Sequence, residues 1–329
     1  MSLLLFVLTA GSSVAQNAVH LKICAACVRA DEDFLASDEL HGRGSGTRDE
    51  HLAALYAASL FQSFGLEPAG ENGTYIQHAP LPDTFPNGLS EYLKGQGLDQ
   101  NQRSDTWNAA AVLRGSDPVA AKEVILLTAH LDHLGVGNPV NGDAIYNGAD
   151  DDASGVTAVL ELARTLSKGV RPRRPVLFVL FGSEELGGYG NRYFLEHPPV
   201  ALAQIVANLE FEMIGRPDPA LKTKTLWLTG YERSNLGPML AQHGAAISPD
   251  PHPKENFFQR SDNYALAQKG IVAQTVSSFG LHPQYHHPDD DIAHLDFDFL
   301  IHSIGSMVEP VRWLANSNWR PKWHDGGKP

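Results

Sequence analysis

Cysteine is scarce. The chain of 329 residues has two, Cys24 and Cys27, in one CxxC near the N-terminus. One such pair, with no second pair and no thioredoxin-like strand–helix context, is a weak redox or metal motif; a local disulfide or two free thiols is the plainer reading. Positive charge is also short: 25 Lys and Arg against 38 Asp and Glu leave a net −13, which argues against nucleic acid or an anionic membrane surface as partner. Long apolar runs are missing too. The N-terminal stretch Leu3–Leu8 is too short to span a bilayer, and no other segment qualifies.

What is present fits a soluble globular chain, 43% hydrophobic and 19% charged, long enough for a large core. The start, "MSLLLFVLTAGSSVAQ", has a short apolar core followed by Ser13-Val14-Ala15. Residues 1–15 are therefore expected to be a signal peptide, with a periplasmic or secreted product and no stable membrane anchor after cleavage. Residues 16–329 are expected to form one domain.

A helix is predicted after Thr47, where Thr47 and Glu50 have capping-box spacing and Leu52, Leu55, Tyr56 and Leu60 follow at helical intervals. Residues 70–107 are polar and rich in Pro, Gly, Asn and Gln, and read as an irregular loop or partial lid. From residue 124 the chain alternates. "VILLTAH", "VLFVLF", "QIVANLEFEMIG", "TLWLTG" and "GIVAQTVSS" read as strands. "SGVTAVLELARTLSKG", "NRYFLEH" and residues 291–314 read as helices. Alternation with continuously apolar strands predicts an α/β fold whose mostly parallel central sheet carries helices on both faces.

The acidic residues gather where such a fold places its ligands, beyond the carboxyl ends of the strands. His130 and Asp132 close the first of these strands, pointing to one side because alternate residues share a face. Glu184 and Glu185 follow the second strand, and Glu210 and Glu212 close the third. Tyr285, His286 and His287 follow the last, and Asp150, Asp151 and Asp152 precede a helix. Carboxylates brought to one place repel unless cations neutralise them. His with Asp and Glu is a ligand set for zinc, with manganese or cobalt as substitutes.

The ordered motifs "AHLDHLG", "NGADDDASG", "GSEELGGYG", "LEFEMIG", "RSDN" and "YHHPDD" resemble the co-catalytic dizinc aminopeptidases of bacterial secreted type. That superfamily also holds glutamate carboxypeptidases and secreted glutaminyl cyclases. The resemblance covers nearly the whole chain after residue 15, and 70–107 is too short for the protease-associated domain some members insert. It implies the zinc-peptidase (aminopeptidase/phosphorylase-like) sandwich, two Zn2+ per chain and peptide substrates. Asp151 would bridge the metals, with His130 and Glu212 completing one site and Glu185 and His286 the other. Asp132 would orient His130. Glu184 would be the general base, Tyr285 an oxyanion donor, and Arg260 a substrate-orienting residue. Two departures stand out: relatives often have Asp where this chain has Glu212, with Glu210 as the fallback ligand, and His where it has Asn263. Removal of N-terminal residues is the leading expectation. The alternative is a glutaminyl-peptide cyclotransferase, which keeps one zinc; a peptidase-like binding module is the non-enzyme reading.

Overall fold

A computed structural model describes residues 22–98 and 103–329 of the chain. The signal-peptide reading falls on residues outside that range. The strands are β1 (Glu67–Pro68), β2 (Ile76–Pro80), β3 (Asp105–Leu113), β4 (Val124–His130), β5 (Gly135–Val140), β6 (Asp143–Tyr146), β7 (Val176–Phe181), β8 (Ile205–Phe211), β9 (Leu226–Leu228), β10 (Ile247–Pro249) and β11 (Ala273–Ser277). The helices are α1 (Ala25–Leu35), α2 (Arg48–Ser63), α3 (Asn87–Gly95), α4 (Gly155–Lys168), α5 (Tyr189–Glu196), α6 (Leu236–Gln242), α7 (Asn263–Gln268) and α8 (Phe297–Asn316).

Nine strands form one sheet in the order β1-β3-β7-β4-β8-β11-β9-β10, with β2 also paired to β3. β7, β4, β8 and β11 are mutually parallel, and antiparallel pairings flank them at β3 and β9. The apolar runs have a simple cause: both faces are covered. Val176, Phe178 and Leu180 of β7 pack with Ile125, Leu127 and Ala129 of β4 beneath α2, α4 and α8. Leu177, Val179 and Phe181 pack on the opposite face with Phe194 of α5 and Leu266 of α7. Cys24 and Cys27 are joined as a disulfide at the start of α1. No helix among the described residues is long and apolar enough to cross a membrane.

The described residues of 70–107 include regular elements beyond the expected loop. They contain β2, an edge strand registered on β3 from Ile76–Ala109 to Pro80–Asp105, and α3. α3 is held by Leu93, which packs with Leu98, Leu134, Tyr146 and Leu186. The capping box at α2 is half realised. The Thr47 side chain accepts from the Glu50 N–H at 3.5 Å. The Glu50 side chain turns inward, accepting from the N–H groups of Gly46 at 3.0 Å and Ser183 at 2.8 Å.

The sheet order fixes where a site can form. The chain leaves β4 to make β7 on one side of it and β8 on the other, so the C-terminal end of β4 is a topological switch point where a crevice opens.

Candidate metal centre

His130 is the last residue of β4, Glu212 follows the last residue of β8, and Glu184 and Glu185 lie in the turn after β7. Asp151 precedes α4, and His286 lies in the loop after β11 with a left-handed backbone, φ 56°. These segments meet at the switch point.

Two ligand-capable groups form there, one of His130, Asp151 and Glu212, the other of His133, Asp151 and Glu185. His286 joins the second, its Nε2 3.3 Å from Asp151 Oδ2 and 3.2 Å from Glu185 Oε1. His130 Nε2 is 3.1 Å from Asp151 Oδ1. Asp151 thus faces both groups, one oxygen to each. Glu210, the fallback ligand, is turned away: its Oε2 accepts from the Asn263 N–H at 2.6 Å.

The residues fit a pair of metal ions on geometry. His130 Nε2, His286 Nε2, His133 Nδ1 and Glu185 Oε1 are buried and have no hydrogen-bond partner, although carboxylate oxygens or imidazole nitrogens lie 3.0–3.3 Å away. The ligand atoms of each group lie within 4.8 Å of one another. Ligand atoms on a zinc with ~2 Å bonds sit about 3.3 Å apart along a tetrahedron edge, the spacing seen here.

Charge points the same way. In the metal-free chain burial would lower the His286 imidazole, but Glu185 and Asp151 outweigh it and push it up to about 12. Burial would raise Glu185, yet His286 and His133 hold it down at about 2. Burial, with the Asp151 carboxylate, lifts Glu212 to about 7 against the pull of His130. Positive charge is favoured among these carboxylates, and either protons on imidazole or bound metal ions would supply it.

Backbone N–H groups hold the carboxylates in place. Asp132 Oδ1 accepts from Glu184 N–H at 2.9 Å and Oδ2 from Glu185 N–H at 3.2 Å and from the Ser45 hydroxyl. Asp132 also meets the imidazole of His130, the contact expected of it, by its main-chain oxygen as well as its carboxylate. His130 Nδ1 is nearer its main-chain oxygen, 3.1 Å, than its carboxylate, 3.7 Å, because both carboxylate oxygens already take the Glu184–Glu185 turn. Asp152 Oδ2 accepts from His130 N–H at 3.1 Å, and its Oδ1 from Met213 N–H at 3.1 Å and Gly155 N–H at 3.0 Å. Asp290 accepts from Asp150 N–H and Asp151 N–H. Arg43, wholly buried, donates to the carbonyls of Leu131, Asn147 and Gly148, tying the His133 loop to the Asp151 loop. Gly182 has no room for a side chain, since a Cβ would lie 2.7 Å from Glu50 Oε1 and from the Trp107 carbonyl.

The Glu184 side chain has no hydrogen bond among the described residues and is partly open to the crevice. Burial, then Glu185, Asp262 and Glu212, push its carboxyl well above the usual range, against the pull of His130. The Tyr285 ring stacks on His286 with centroids 3.9 Å apart, and burial beside Asp151 and Glu185 keeps its hydroxyl protonated. Tyr285 and Glu212 also line a cavity with Trp227, Phe257 and Phe279. Arg260 is exposed at the rim of that cavity, its guanidinium 4.9 Å over Phe257.

Sequence reasoning missed Tyr92 of α3, whose hydroxyl is 3.2 Å from His286 Nδ1. It read Glu50 only as a capping-box residue and His133 only as a residue beside the ligands or at the surface, and gave Arg43 and Asp290 no individual role. His133 had its place beside the His130–Asp132 pair as a signal, and Asp290 its place in the YHHPDD motif; Arg43 had none.

The parallel sheet, its switch-point crevice and the shared aspartate define a metallopeptidase of the zinc-aminopeptidase fold. The model of Peptidase family M28 matches residues 108–311, and the chain belongs to that family. Its fold is similar to that of a zinc aminopeptidase from Bacillus subtilis (TM-score 0.67, 16% identity, covering 90% of this chain and 96% of that one). It is also similar to the glutaminyl cyclase of Porphyromonas gingivalis (TM-score 0.62, 18% identity, covering 88% and 98%). In sequence it is similar to leupeptin-inactivating enzyme 1 of Streptomyces exfoliatus, 36% identical over 115 residues, 34% of this chain and 24% of that protein. It is similar as well to a vacuolar membrane protease of Sclerotinia sclerotiorum, 23% identical over 235 residues, 69% of this chain and 20% of that protein. The matched region thus spans about a fifth to a quarter of these curated relatives.

Proposed function

We propose that the chain is a two-zinc exopeptidase that removes N-terminal residues from peptides, acting in the periplasm or outside the cell. The observation that carries this is the pair of ligand groups sharing Asp151, one oxygen toward His130 and the other toward His286. Zinc held there, with manganese or cobalt as substitutes, would acidify a water and polarise the scissile carbonyl. Glu184, unligated and raised in pKa, takes the proton of the attacking water and returns it to the leaving amine. The Tyr285 hydroxyl donates to the developing oxyanion. The aromatic cavity beside Glu212 receives the side chain of the N-terminal residue, and the exposed Arg260 at its rim orients the peptide.

The test is zinc content per chain, together with release from a panel of aminoacyl-p-nitroanilides before and after chelation. About two zinc with chelator-sensitive release is the expected result, and an apolar preference would match the cavity. One zinc, no release and cyclisation of N-terminal glutamine would replace this reading with the cyclotransferase.

A further inference from the structure

His133 is absent from the five ligands that the sequence resemblance implies, yet it is fully buried and falls in the second ligand-capable group. Its backbone is pinned on both sides: its N–H donates to the Arg43 carbonyl at 3.1 Å, and its carbonyl accepts from the Ser45 N–H at 3.1 Å. Gly148, left-handed at φ 62°, leaves space for the ring, since a Cβ there would lie 2.5 Å from His133 Cγ. The ring is thereby aimed at the second ligand group. Nδ1 lies 3.0 Å from Glu185 Oε1 and 3.8 Å from Asp151 Oδ2. These are the two atoms that His286 Nε2 approaches at 3.2 and 3.3 Å. The two imidazoles have centroids 5.6 Å apart at 75°. Two imidazoles on one tetrahedral zinc would have ring centres about 5 Å apart.

We propose that His133, through Nδ1, is a fourth protein ligand of the metal held by Asp151, Glu185 and His286. This rests on the two-metal reading and makes the two sites unequal. The site of His130, Asp151 and Glu212 has three protein ligands and an open position. The site with His133 has four and is closed by protein, the arrangement of tightly held zinc. The closed site fills first and anchors the pair; the three-ligand site is the labile one, where exchangeable ligands enter.

The experiment is X-ray absorption on the fully zinc-loaded protein, with zinc titrations of the wild type and His133→Phe, a variant that keeps a ring in the space. The expected wild-type spectrum has three imidazoles over two zinc. The variant should show two, with affinity for the tighter zinc falling by more than about 100-fold, beyond the roughly 10–100-fold that loss of an outer hydrogen bond produces. A wild type with two zinc and only two imidazoles overturns the assignment even if the variant binds metal more weakly, because His133 would then be a hydrogen-bond donor to Glu185. Unchanged zinc affinity in the variant also overturns it. A wild type holding fewer than two zinc overturns the two-metal reading and this assignment with it. The wild-type spectrum decides the matter should the variant fail to fold.

Discussion

Glu184→Gln separates proton transfer from metal binding. Glu184 belongs to neither ligand group, and its position is set by its backbone, whose N–H reaches Asp132 Oδ1 at 2.9 Å. An amide of the same shape keeps that bond and removes only the proton acceptor. General-base catalysis contributes typically 10²–10⁴-fold, so the barrier rises by about 3–5 kcal/mol. Zinc content should not change. The metal-free variant should melt no lower than the parent at pH 8, because the carboxyl lost is one that Glu185, Asp262 and Glu212 disfavour as an anion. The assays are kcat/KM on a leucyl-p-nitroanilide, zinc per chain by emission spectrometry, and a thermal melt after chelation. Activity within tenfold of the parent would refute the role of base. Loss of a zinc equivalent would show that Glu184 is a ligand.

Asp132→Asn should lower both activity and zinc occupancy, because one amide cannot accept from Glu184 N–H, Glu185 N–H and the Ser45 hydroxyl together; a buried donor left unpaired costs about 1–3 kcal/mol, read as a lower denaturation midpoint. Gly182→Ala should destabilise by about 1–3 kcal/mol and reduce kcat, since the added Cβ meets the Thr106 hydroxyl at 2.3 Å and Glu50 Oε1 and the Trp107 carbonyl at 2.7 Å, and chemical denaturation with kinetics checks both. On α1, outside the candidate ligand groups, burial raises Asp31 from 3.8 to about 6, opposed by its hydrogen bond from Tyr56. Between about pH 4 and pH 6 the folded state keeps a proton the unfolded state has lost, so stability falls as pH rises through that window, by about 3 kcal/mol at most. Asp31→Asn should flatten that slope in pH-dependent unfolding curves.

The fold was legible where burial is two-sided. β4 and β7 are continuously apolar because both faces are covered, and their limits match the expected 124–130 and 176–181. β8 stops at Phe211, short of the expected 215, because the chain turns there to deliver Glu212. β2 and α3 were hidden for local reasons. β2 alternates at the sheet edge and ends on Pro80, and α3 has no capping side chain at Pro86 and buries only Leu93. The candidate ligands were visible as residue types at strand ends. Their supports were not, because each is tertiary: Glu50 reaches Ser183, Asp290 reaches Asp151, and Arg43 reaches Gly148 across distant stretches of chain.

Those supports explain why the chain carries more buried carboxylates here than the two ligand-capable groups use. Where β4, β7 and β8 end, backbone N–H groups lose their sheet partners inside the protein, and an unpaired one is costly. Carboxylates fill that role: Asp132, Asp152, Asp290 and Glu50 each accept at least two backbone N–H groups. The same residues concentrate negative charge, and burial beside Asp150 and Asp151 lifts Asp290 to about 8. Rigid loops and electrostatic stress therefore have one origin. Cations entering there would relieve the stress, so the anchors that position the candidate ligands would also favour metal, and loading it would couple to folding through the same carboxylates.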